Sequence, residues 1–398
     1  MNRLQRIAQR KVRHVIGLNS GTSADGVDTL LLEVRGAGWS SRLRAVRFRT
    51  YPFPPRLKRE LTTLLARFGD PGRAESAGAL EVARLHARLG DTLGRAAARM
   101  QRWGASNDVS CHLVGSHGQT VWHAPGSGGR ATVTVQLGDP HRLAARTGLP
   151  AVADFRQSDV AAGGQGAPLT PALDYLLFHN DRRDVVTLNL GGIANYTAIR
   201  AGGGPRAAGG FDAGPCNLLL DGLYGLLVGS GYDRGGRLAA RGRIRAGVAE
   251  EFLRHSYFRR RPPKSTGREE FGPGFAAAFR DAVGRRRPAE DHLATAADFV
   301  ARAVAGQMER FLLDRYGPAQ VVVSGGGIHH RPLRAALERE FQTSGIDLVP
   351  FMSCGLTPDS KEAALFAWLA SEAVSGRAAH LPHITGAAGA QVLGVLVP

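Results

Sequence analysis

A short polar turn follows the first apolar segment of the chain. His14 to Leu18 predicts a strand that breaks into Ser20-Gly21-Thr22-Ser23. Consecutive backbone N–H groups and hydroxyls in such a turn suit phosphate oxygens, and glycine allows close approach. Asp25 and Asp28 follow and could hold Mg²⁺ through water. No Gly-Lys-Ser/Thr follows, so this is not a Walker A sequence, and an ordinary hairpin turn is the alternative.

Two later turns repeat this arrangement. Gly191-Gly192 follows the strand predicted from Asp184 to Leu190, and Gly325-Gly326-Gly327 follows Val321 to Val323. The third turn precedes a predicted helix, where it can lie under the ribose and phosphates of a nucleotide. Because strand, glycine turn and return strand recur near residues 15 and 186, the sequence predicts an α/β fold built by internal duplication, with a cleft between the halves.

Asp212 is the candidate general base. It lies in the run Gly209 to Pro215, where turn residues would immobilise its carboxylate. A general base must be held within hydrogen-bond reach of one attacking oxygen, which such a run can provide. An Asx-turn, or an N-cap for the helix predicted from Cys216 to Leu227, is the alternative interpretation.

A polar, glycine-rich loop runs from Asp154 to Pro168. It fits the binding of a hydroxylated or acidic ligand, with Arg156 as the candidate for a carboxylate, and an interdomain hinge is the other reading. His117 and His123 could suggest a metal site or a triad. They lack a third ligand at a suitable spacing, so substrate contacts or structural roles are favoured over zinc. A last group of histidines is assigned to the surface: His329, His330, His380 and His383.

The chain is strongly basic, and a basic excess can mark a nucleic-acid-binding protein. It has 51 Lys and Arg residues against 34 Asp and Glu, a net charge of +17 over 398 residues. The clusters Arg259 to Arg261 and Arg285 to Arg287 stand beside no RNP-type aromatic motif and no zinc-finger spacing. Arginine and alanine dominate while lysine is nearly absent, as a bias toward GC-rich codons produces. We therefore expect no nucleic-acid partner.

Cysteine and hydropathy patterns indicate the cellular setting. Cys111, Cys216 and Cys354 lie far apart and form no CxxC pair, which favours a reduced environment over a disulfide framework or a structural zinc. No run approaches the ~20 apolar residues of a membrane span. The basic segment Met1 to Arg13 lacks the apolar region of a signal peptide. We expect a cytoplasmic protein with no membrane partner.

Seven segments, in collinear order, resemble the anhydro-N-acetylmuramic acid kinase family. They are Gly17 to Asp28, Gly115 to His123, Asp154 to Leu169, Asn189 to Asn195, Gly210 to Pro215, Pro263 to Glu269 and Lys361 to Ala370. The resemblance implies a duplicated actin-like ATPase (ribonuclease H-like) fold, with two lobes closing on ATP and Mg²⁺. The lobes would comprise residues 1–155 and 156–374, with residues 375–398 able to pack back on the first. It also implies a homodimer.

The resemblance implies a reaction on 1,6-anhydro-N-acetylmuramic acid. Water would open the anhydro ring while O6 takes the γ-phosphoryl group of ATP, giving N-acetylmuramic acid 6-phosphate and ADP. Asp212 would activate that water, and Asp25 and Asp28 would serve the metal. The implied ATP-binding residues are Ser20, Gly21, Thr22, Ser23, Ala24, Asp25, Gly26, Val27, Asp28, Gly191, Gly192, Gly325, Gly326 and Gly327. The implied sugar-binding residues are His117, Gln119, Arg156, Asn195 and Glu362.

Several positions depart from the family pattern. Asn19 stands where the family usually has Met, and Cys216 replaces a glycine after the base. Gln157-Ser158 replaces a common Arg-Arg, which removes positive charge near the sugar-binding loop. These departures leave two alternatives open: a kinase for another 1,6-anhydrosugar such as levoglucosan, or a non-catalytic actin-like nucleotide sensor.

Overall fold

The computed structural model describes residues 2–21, 24–68, 78–124, 126 and 132–398. The chain forms two compact units, Met1–Leu177 with Met352–Pro398, and Phe178–Phe351. These limits differ from the boundaries at 155 and 374 expected from the sequence. Residues 156–177 and 352–374 belong to the first unit because their side chains bond within it. Arg156 donates to His117, and Lys361 pairs with Asp174.

The strands alternate with helices along most of the chain. Within the described residues the strands are β1 (Val12–Asn19), β2 (Gly26–Arg35), β3 (Arg42–Pro52), β4 (Leu113–Ser116), β5 (Gln119–Ala124), β6 (Val133–Leu137), β7 (Ala151–Ala153), β8 (Val185–Leu190), β9 (Ile193–Ile199), β10 (Gly209–Pro215), β11 (Gln320–Ser324), β12 (Asp347–Pro350) and β13 (Val395–Val397). The α-helices of the first unit are Arg3–Ala8, Pro55–Phe68, Ala79–Ala105, Pro140–Thr147, Gln157–Ala161, Thr170–Phe178, Lys361–Val374 and Pro382–Thr385. Those of the second unit are Asn217–Leu227, Val248–Leu253, Arg268–Phe271, Pro273–Val283, Ala289–Met308, Asp314–Tyr316 and Arg331–Thr343.

The first unit is built on a mixed sheet in the order β13-β7-β4-β1-β2-β3. β1, β2 and β3 form an antiparallel meander, and β1, β4 and β7 run parallel to one another. β2 carries the run Leu30 to Leu32, fully buried, because helices cover both faces of the central strands and such strands need no polar side. β5 and β6 form a separate two-stranded sheet.

The second unit repeats the same topology. Its sheet has the order β10-β9-β8-β11-β12, with β8, β9 and β10 antiparallel and β8, β11 and β12 parallel. Each unit thus contains a three-strand meander followed by two parallel strands, the ribonuclease H-like arrangement. The internal duplication predicted from the sequence is confirmed.

Two glycines let the helix Lys361–Val374 lie directly against the first sheet. A Cβ at Gly17, on β1, would come within 1.9 Å of Ala363 O, and one at Gly115, on β4, within 2.2 Å of Phe366 O. Any side chain at either position would therefore push the helix away. The helix buries Trp368 and a row of alanines in return.

Several elements differ from the sequence-based expectation. The edge strand β3 is not predicted from the sequence because it is rich in arginine, and β13, formed by the tail antiparallel to β7, is not predicted either. The long helix of the second unit begins at Ala289 and continues into a π-helical turn at Glu309–Leu313. Among the described residues, no helix is both long and apolar enough to cross a bilayer.

Candidate functional site

The polar turn of the first unit leaves the end of β1. Ser20 Oγ donates to Gln119 Oε1 at 2.6 Å, and both residues are buried. Ala24 N donates to Gly21 O at 3.1 Å, and a Cβ at Gly21 would meet no described atom within 4 Å. Thr22 and Ser23 lie outside the described residues. The turn therefore leaves space beside a flexible glycine, as close approach of a phosphate requires.

Asp25 and Asp28 have different surroundings. Asp25 forms an ion pair with Lys58, while Asp28 Oδ1 accepts a 2.6 Å hydrogen bond from Thr50. Burial, with smaller contributions from the charges of Glu362 and Asp359, raises the pKa of Asp28 to about 6. In the described part of the chain, no three His, Cys, Asp or Glu side chains cluster so as to hold a metal ion. Asp28 is consequently the carboxylate whose charge a cation would stabilise.

His117 and Arg156 come together as a hydrogen-bonded pair. Arg156 Nε donates to His117 Nε2 at 3.0 Å, and Arg156 Nη1 donates to Gly166 O at 2.6 Å. Burial and the neighbouring guanidinium lower the pKa of His117 far below its usual value, so its imidazole is neutral and accepts. Its ring stacks on Phe366 with centroids 4.4 Å apart. The histidine orients the arginine rather than binding a metal.

Asp159 organises the glycine-rich loop around that arginine. Its Oδ2 accepts from Gly166 N at 2.7 Å, and its Oδ1 accepts from Thr385 Oγ1 at 2.6 Å and lies 3.1 Å from His380 Nε2. A Cβ at Gly164 would fall 2.2 Å from Oδ2, so glycine is required there. His380 is buried, and its assignment to the surface was wrong, because a sequence pattern cannot show that a distant histidine packs on Asp159.

Glu362 lies in the first turn of helix Lys361–Val374. Its Oε2 accepts a 2.6 Å hydrogen bond from Asn19 Nδ2, at the end of β1. Lys361 and Asp174 form a 2.6 Å ion pair in which each side chain is only 1% exposed. This pair fixes the beginning of the helix and therefore the place of Glu362 beside the polar turn.

The two glycine turns of the second unit lie side by side. Gly325 has φ of +86°, and a Cβ there would fall 2.7 Å from Asn189 Oδ1 and 2.8 Å from the backbone of Leu190. A Cβ at Gly327 would fall 2.8 Å from Leu190 Cβ. Close contact between backbones explains the glycines at these positions, and it joins the ends of β8 and β11 in one surface.

The same surface adjoins the beginning of helix Asn217–Leu227. Gly192 O accepts from Cys216 N at 2.9 Å, and Gly191 O accepts from Asn217 N at 3.1 Å. The Cys216 side chain is fully buried and makes no capping hydrogen bond to the helix. Burial raises the pKa of its thiol to about 12, so the thiol is protonated and unreactive.

Asp212 lies in β10 at a bulge and is 6% exposed. Its Oδ2 accepts a 2.9 Å hydrogen bond from Thr266 N. Its backbone N donates to Lys264 O at 3.1 Å, and its backbone O accepts from Tyr257 Oη at 2.6 Å. The alternative of a helix N-cap is wrong, since the capping position is Cys216. The base candidate is therefore fixed through its main chain and its carboxylate together.

Asn195 lies directly opposite Asp212 in the sheet and opposite Asn189 on the other side. Its Oδ1 is buried, and no described group donates a hydrogen bond to it. A buried amide oxygen without a donor is costly, so an ordered water or a ligand is needed to complete its hydrogen bonding.

The structure brings the predicted residues together in two sets. In the first unit Ser20 bonds to Gln119, Glu362 bonds to Asn19 and lies near Asp28, and Arg156 bonds to His117. In the second unit the two glycine turns lie against each other. Sequence reasoning missed the residues that hold Asp212 in place, Tyr257, Lys264, Thr266 and Gln307. The segment Pro263 to Glu269 was noted only as part of a resemblance. His330, also assigned to the surface, caps the helix Arg331–Thr343 by accepting from Leu333 N.

The chain is similar to known proteins over nearly its whole length. A model of the family described as anhydro-N-acetylmuramic acid kinase matches residues 13–398. The anhydro-N-acetylmuramic acid kinase of Salinibacter ruber is 39% identical over 100% of this chain and 99% of its own. That of Gloeobacter violaceus is 39% identical over 96% and 98%, and that of Caldanaerobacter subterraneus subsp. tengcongensis 33% identical over 99% and 99%.

Proposed function

Because this chain belongs to the anhydro-N-acetylmuramic acid kinase family, we propose that it phosphorylates 1,6-anhydro-N-acetylmuramic acid with ATP and hydrolyses its anhydro ring. The products are N-acetylmuramic acid 6-phosphate and ADP. The reaction places the chain in the recycling of cell-wall sugars.

The observation that carries this proposal is the fixation of Asp212. Its carboxylate is buried and held by Thr266 N, and its main chain is held by Lys264 and Tyr257. An immobile carboxylate beside an amide oxygen in need of a donor, that of Asn195, suits a base that must meet one water molecule. A sensor that only binds nucleotide has no need of such a group.

The chemistry assigned to Asp212 is proton transfer. The carboxylate accepts a proton from the attacking water as the water oxygen bonds to C1 of the sugar. The C1–O6 bond breaks, O6 keeps its electron pair and bonds to the γ-phosphorus of ATP, and ADP leaves. The proton resides on Asp212 until solvent takes it, so atoms and charge balance in one turnover.

In the first unit we assign phosphate binding to the polar turn at Ser20 and Gly21, and in the second unit, taken by itself, we assign nucleotide binding to the glycine turns at Gly191 and Gly325. Backbone N–H groups in such turns offer fixed dipoles to phosphate oxygens. When bound, Mg²⁺ would neutralise charge on those oxygens. Asp28 fits this ion through intervening water, because the ion keeps several waters in most proteins and the surroundings of Asp28 disfavour its bare charge. Asp25 fits less well, since Lys58 already pairs with it.

Arg156 is our candidate for the lactyl carboxylate of the sugar. Its Nε donates to His117 and its Nη1 donates to Gly166 O, so the guanidinium is held in one orientation beside the glycine-rich loop. Gln119, Asn195 and Glu362 supply hydrogen-bonding groups for sugar hydroxyls and the acetamido group. Gln157, the residue that suggested another anhydrosugar, donates its side-chain amide to Thr134 O at 2.7 Å.

A coupled assay of ADP release tests the proposal, with 1,6-anhydro-N-acetylmuramic acid and levoglucosan compared at equal concentrations. We expect turnover with the muramic acid and little with levoglucosan. In ¹⁸O-labelled water, mass spectrometry of freshly quenched product should find one ¹⁸O on C1 and none on phosphorus. Preference for levoglucosan, or label appearing in free phosphate, contradicts the proposal.

A further inference from the structure

Lys264 is a buried cation beside the proposed base, and the reaction above assigns it no task. Its side chain donates to Gln307 Oε1 and, at 3.3 Å, to Tyr257 O. The ammonium lies 4.5 Å from the centroid of the Tyr257 ring and 5.1 Å from that of Phe311. Taking an ammonium out of water is costly unless its partners are well placed. The cation is thus held in a prepared site.

The main chain of this segment carries the contacts to Asp212. Lys264 O accepts from Asp212 N at 3.1 Å, and two residues later Thr266 N donates to Asp212 Oδ2 at 2.9 Å. Because β10 is the edge strand of its sheet, no further strand among the described residues pairs with it on this side of Asp212. The segment 264–266 takes that place.

The side chain of Lys264 ties the segment to two other elements. Gln307, in the last turn of helix Ala289–Met308, accepts from Lys264 and donates its Nε2 to Phe258 O at 3.1 Å. Tyr257 accepts from Lys264 with its carbonyl and donates its hydroxyl to Asp212 O. A single ammonium therefore joins the helix, the turn at Ser256–Arg259 and the segment that holds the base.

We propose that Lys264 is a positioning residue for the reaction, fixing segment 264–266 so that Thr266 N holds the Asp212 carboxylate in one orientation. The inference rests on the proposed role of Asp212 as the base. We assign Lys264 no contact with substrate or with the reacting atoms. It acts through the main chain and through its charge.

The charges that face Lys264 give this role a pH signature. Burial, with the positive charges of Arg260 and Arg310, lowers the pKa of Lys264 to about 8, and Asp212 and Glu270 oppose the shift. Lys264 is therefore a cation at neutral pH and loses its proton above about pH 8. While charged, it favours the ionised form of Asp212. Without it, Asp212 is harder to ionise, so the acidic limb of the kcat profile moves to higher pH.

The test compares Lys264→Met, an unbranched apolar side chain one atom shorter that removes the charge, with Lys11→Met at an exposed lysine. We expect Lys264→Met to lower kcat by roughly 10- to 100-fold, with KM for ATP changed less than about twofold, and to move the acidic limb upward. Gln307→Leu removes one partner and keeps the charge, so it should lower kcat with little movement of that limb. Lys11→Met should match the parent.

The proposal is overturned if Lys264→Met keeps the parental kcat and acidic limb, or if its loss of rate is recovered by saturating either substrate. If Lys264→Met fails to fold, Gln307→Leu decides: parental kcat in that variant overturns the proposal as well. Failure of the proposed function looks different. In that case the parent shows no turnover of anhydrosugar, or Asp212→Asn retains the parental rate.

Discussion

Asn19 donates a 2.6 Å hydrogen bond to Glu362, joining the last residue of the first strand to the first turn of a helix that comes more than three hundred positions later. The family usually has Met at this position, which cannot donate. The bond therefore gives this chain a connection beside its polar turn that a methionine would lack.

Asn19→Met should lower the free energy of unfolding by about 1–3 kcal/mol, because the Glu362 carboxylate loses a charge-assisted donor. Chemical denaturation measures this. Gln342→Met, at an exposed amide side chain, is the matched control and should stay within about 0.5 kcal/mol of the parent. Unchanged stability of Asn19→Met would show that the bond contributes nothing net.

Asp28→Asn should stabilise the protein at alkaline pH. The pKa of Asp28 is about 6 in the folded chain against an ordinary 3.8, so folding favours its protonated form. The stability that the protonated Asp28 carboxyl contributes is therefore fully present below pH 4 and is lost as pH rises through 6. The variant should exceed the parent by about 1–3 kcal/mol at pH 8 and converge with it below pH 4. Thermal unfolding across this range measures the difference, and a gap that widens toward acid would contradict the assignment.

The same substitution should weaken the use of Mg²⁺. We expect a higher Mg²⁺ concentration for half-maximal activity, by roughly tenfold, because the carboxylate proposed to hold the ion through water is gone. Asp347→Asn, at an exposed carboxylate, should leave the Mg²⁺ titration unchanged. An unaltered titration for Asp28→Asn would remove Asp28 from the metal site.

Gly325→Ala and Gly326→Ala should differ in stability. At Gly325 the positive φ and the backbone of Leu190 at 2.8 Å oppose a methyl group, at a cost of about 1–3 kcal/mol. At Gly326 the nearest atom, Asn217 Nδ2, is 3.8 Å away, so stability should hold within about 0.5 kcal/mol. Equal melting temperatures would refute the close contact between the two turns. A raised KM for ATP in the stable Gly326→Ala would indicate that nucleotide approaches that turn.

Arg156→Lys should impair binding of the acidic sugar in particular. One ammonium cannot replace both the bond to His117 and the bond to Gly166, so the cation loses its orientation. We expect KM for 1,6-anhydro-N-acetylmuramic acid to rise roughly tenfold, about 1.4 kcal/mol. KM for 1,6-anhydro-N-acetylglucosamine, which lacks the lactyl carboxylate, should change little. Equal losses with both sugars would make Arg156 a structural residue.

Sequence reasoning succeeded where chemistry is local. The turn at Gly21, the pair Gly191-Gly192 and the run at Gly325 each follow a strand directly, and periodicity with glycine punctuation predicts such junctions. The duplicated topology followed from their recurrence. Asp212 was chosen as the base candidate because its neighbours are turn formers; it lies in a strand with a bulge rather than in a turn, and its role as the base stays a prediction.

It failed where distant segments meet. The burial of His380 against Asp159, and the hold of Lys264 and Thr266 on Asp212, depend on packing that no local pattern encodes. β3 escaped notice because an edge strand tolerates arginines on its exposed face. The unit boundary was misplaced for the same reason, since only the folded chain shows that Asp174 pairs with Lys361.

The close seat of helix Lys361–Val374 on Gly17 and Gly115 has a consequence for the order of synthesis. A ribosome completes the contiguous unit Phe178–Phe351 before it releases this helix. Until then β1 and β4 expose the apolar face on which the helix will lie. The nascent chain must protect that face from aggregation with other chains. The unit that contains the N-terminus is thus begun first but is the last to complete its fold.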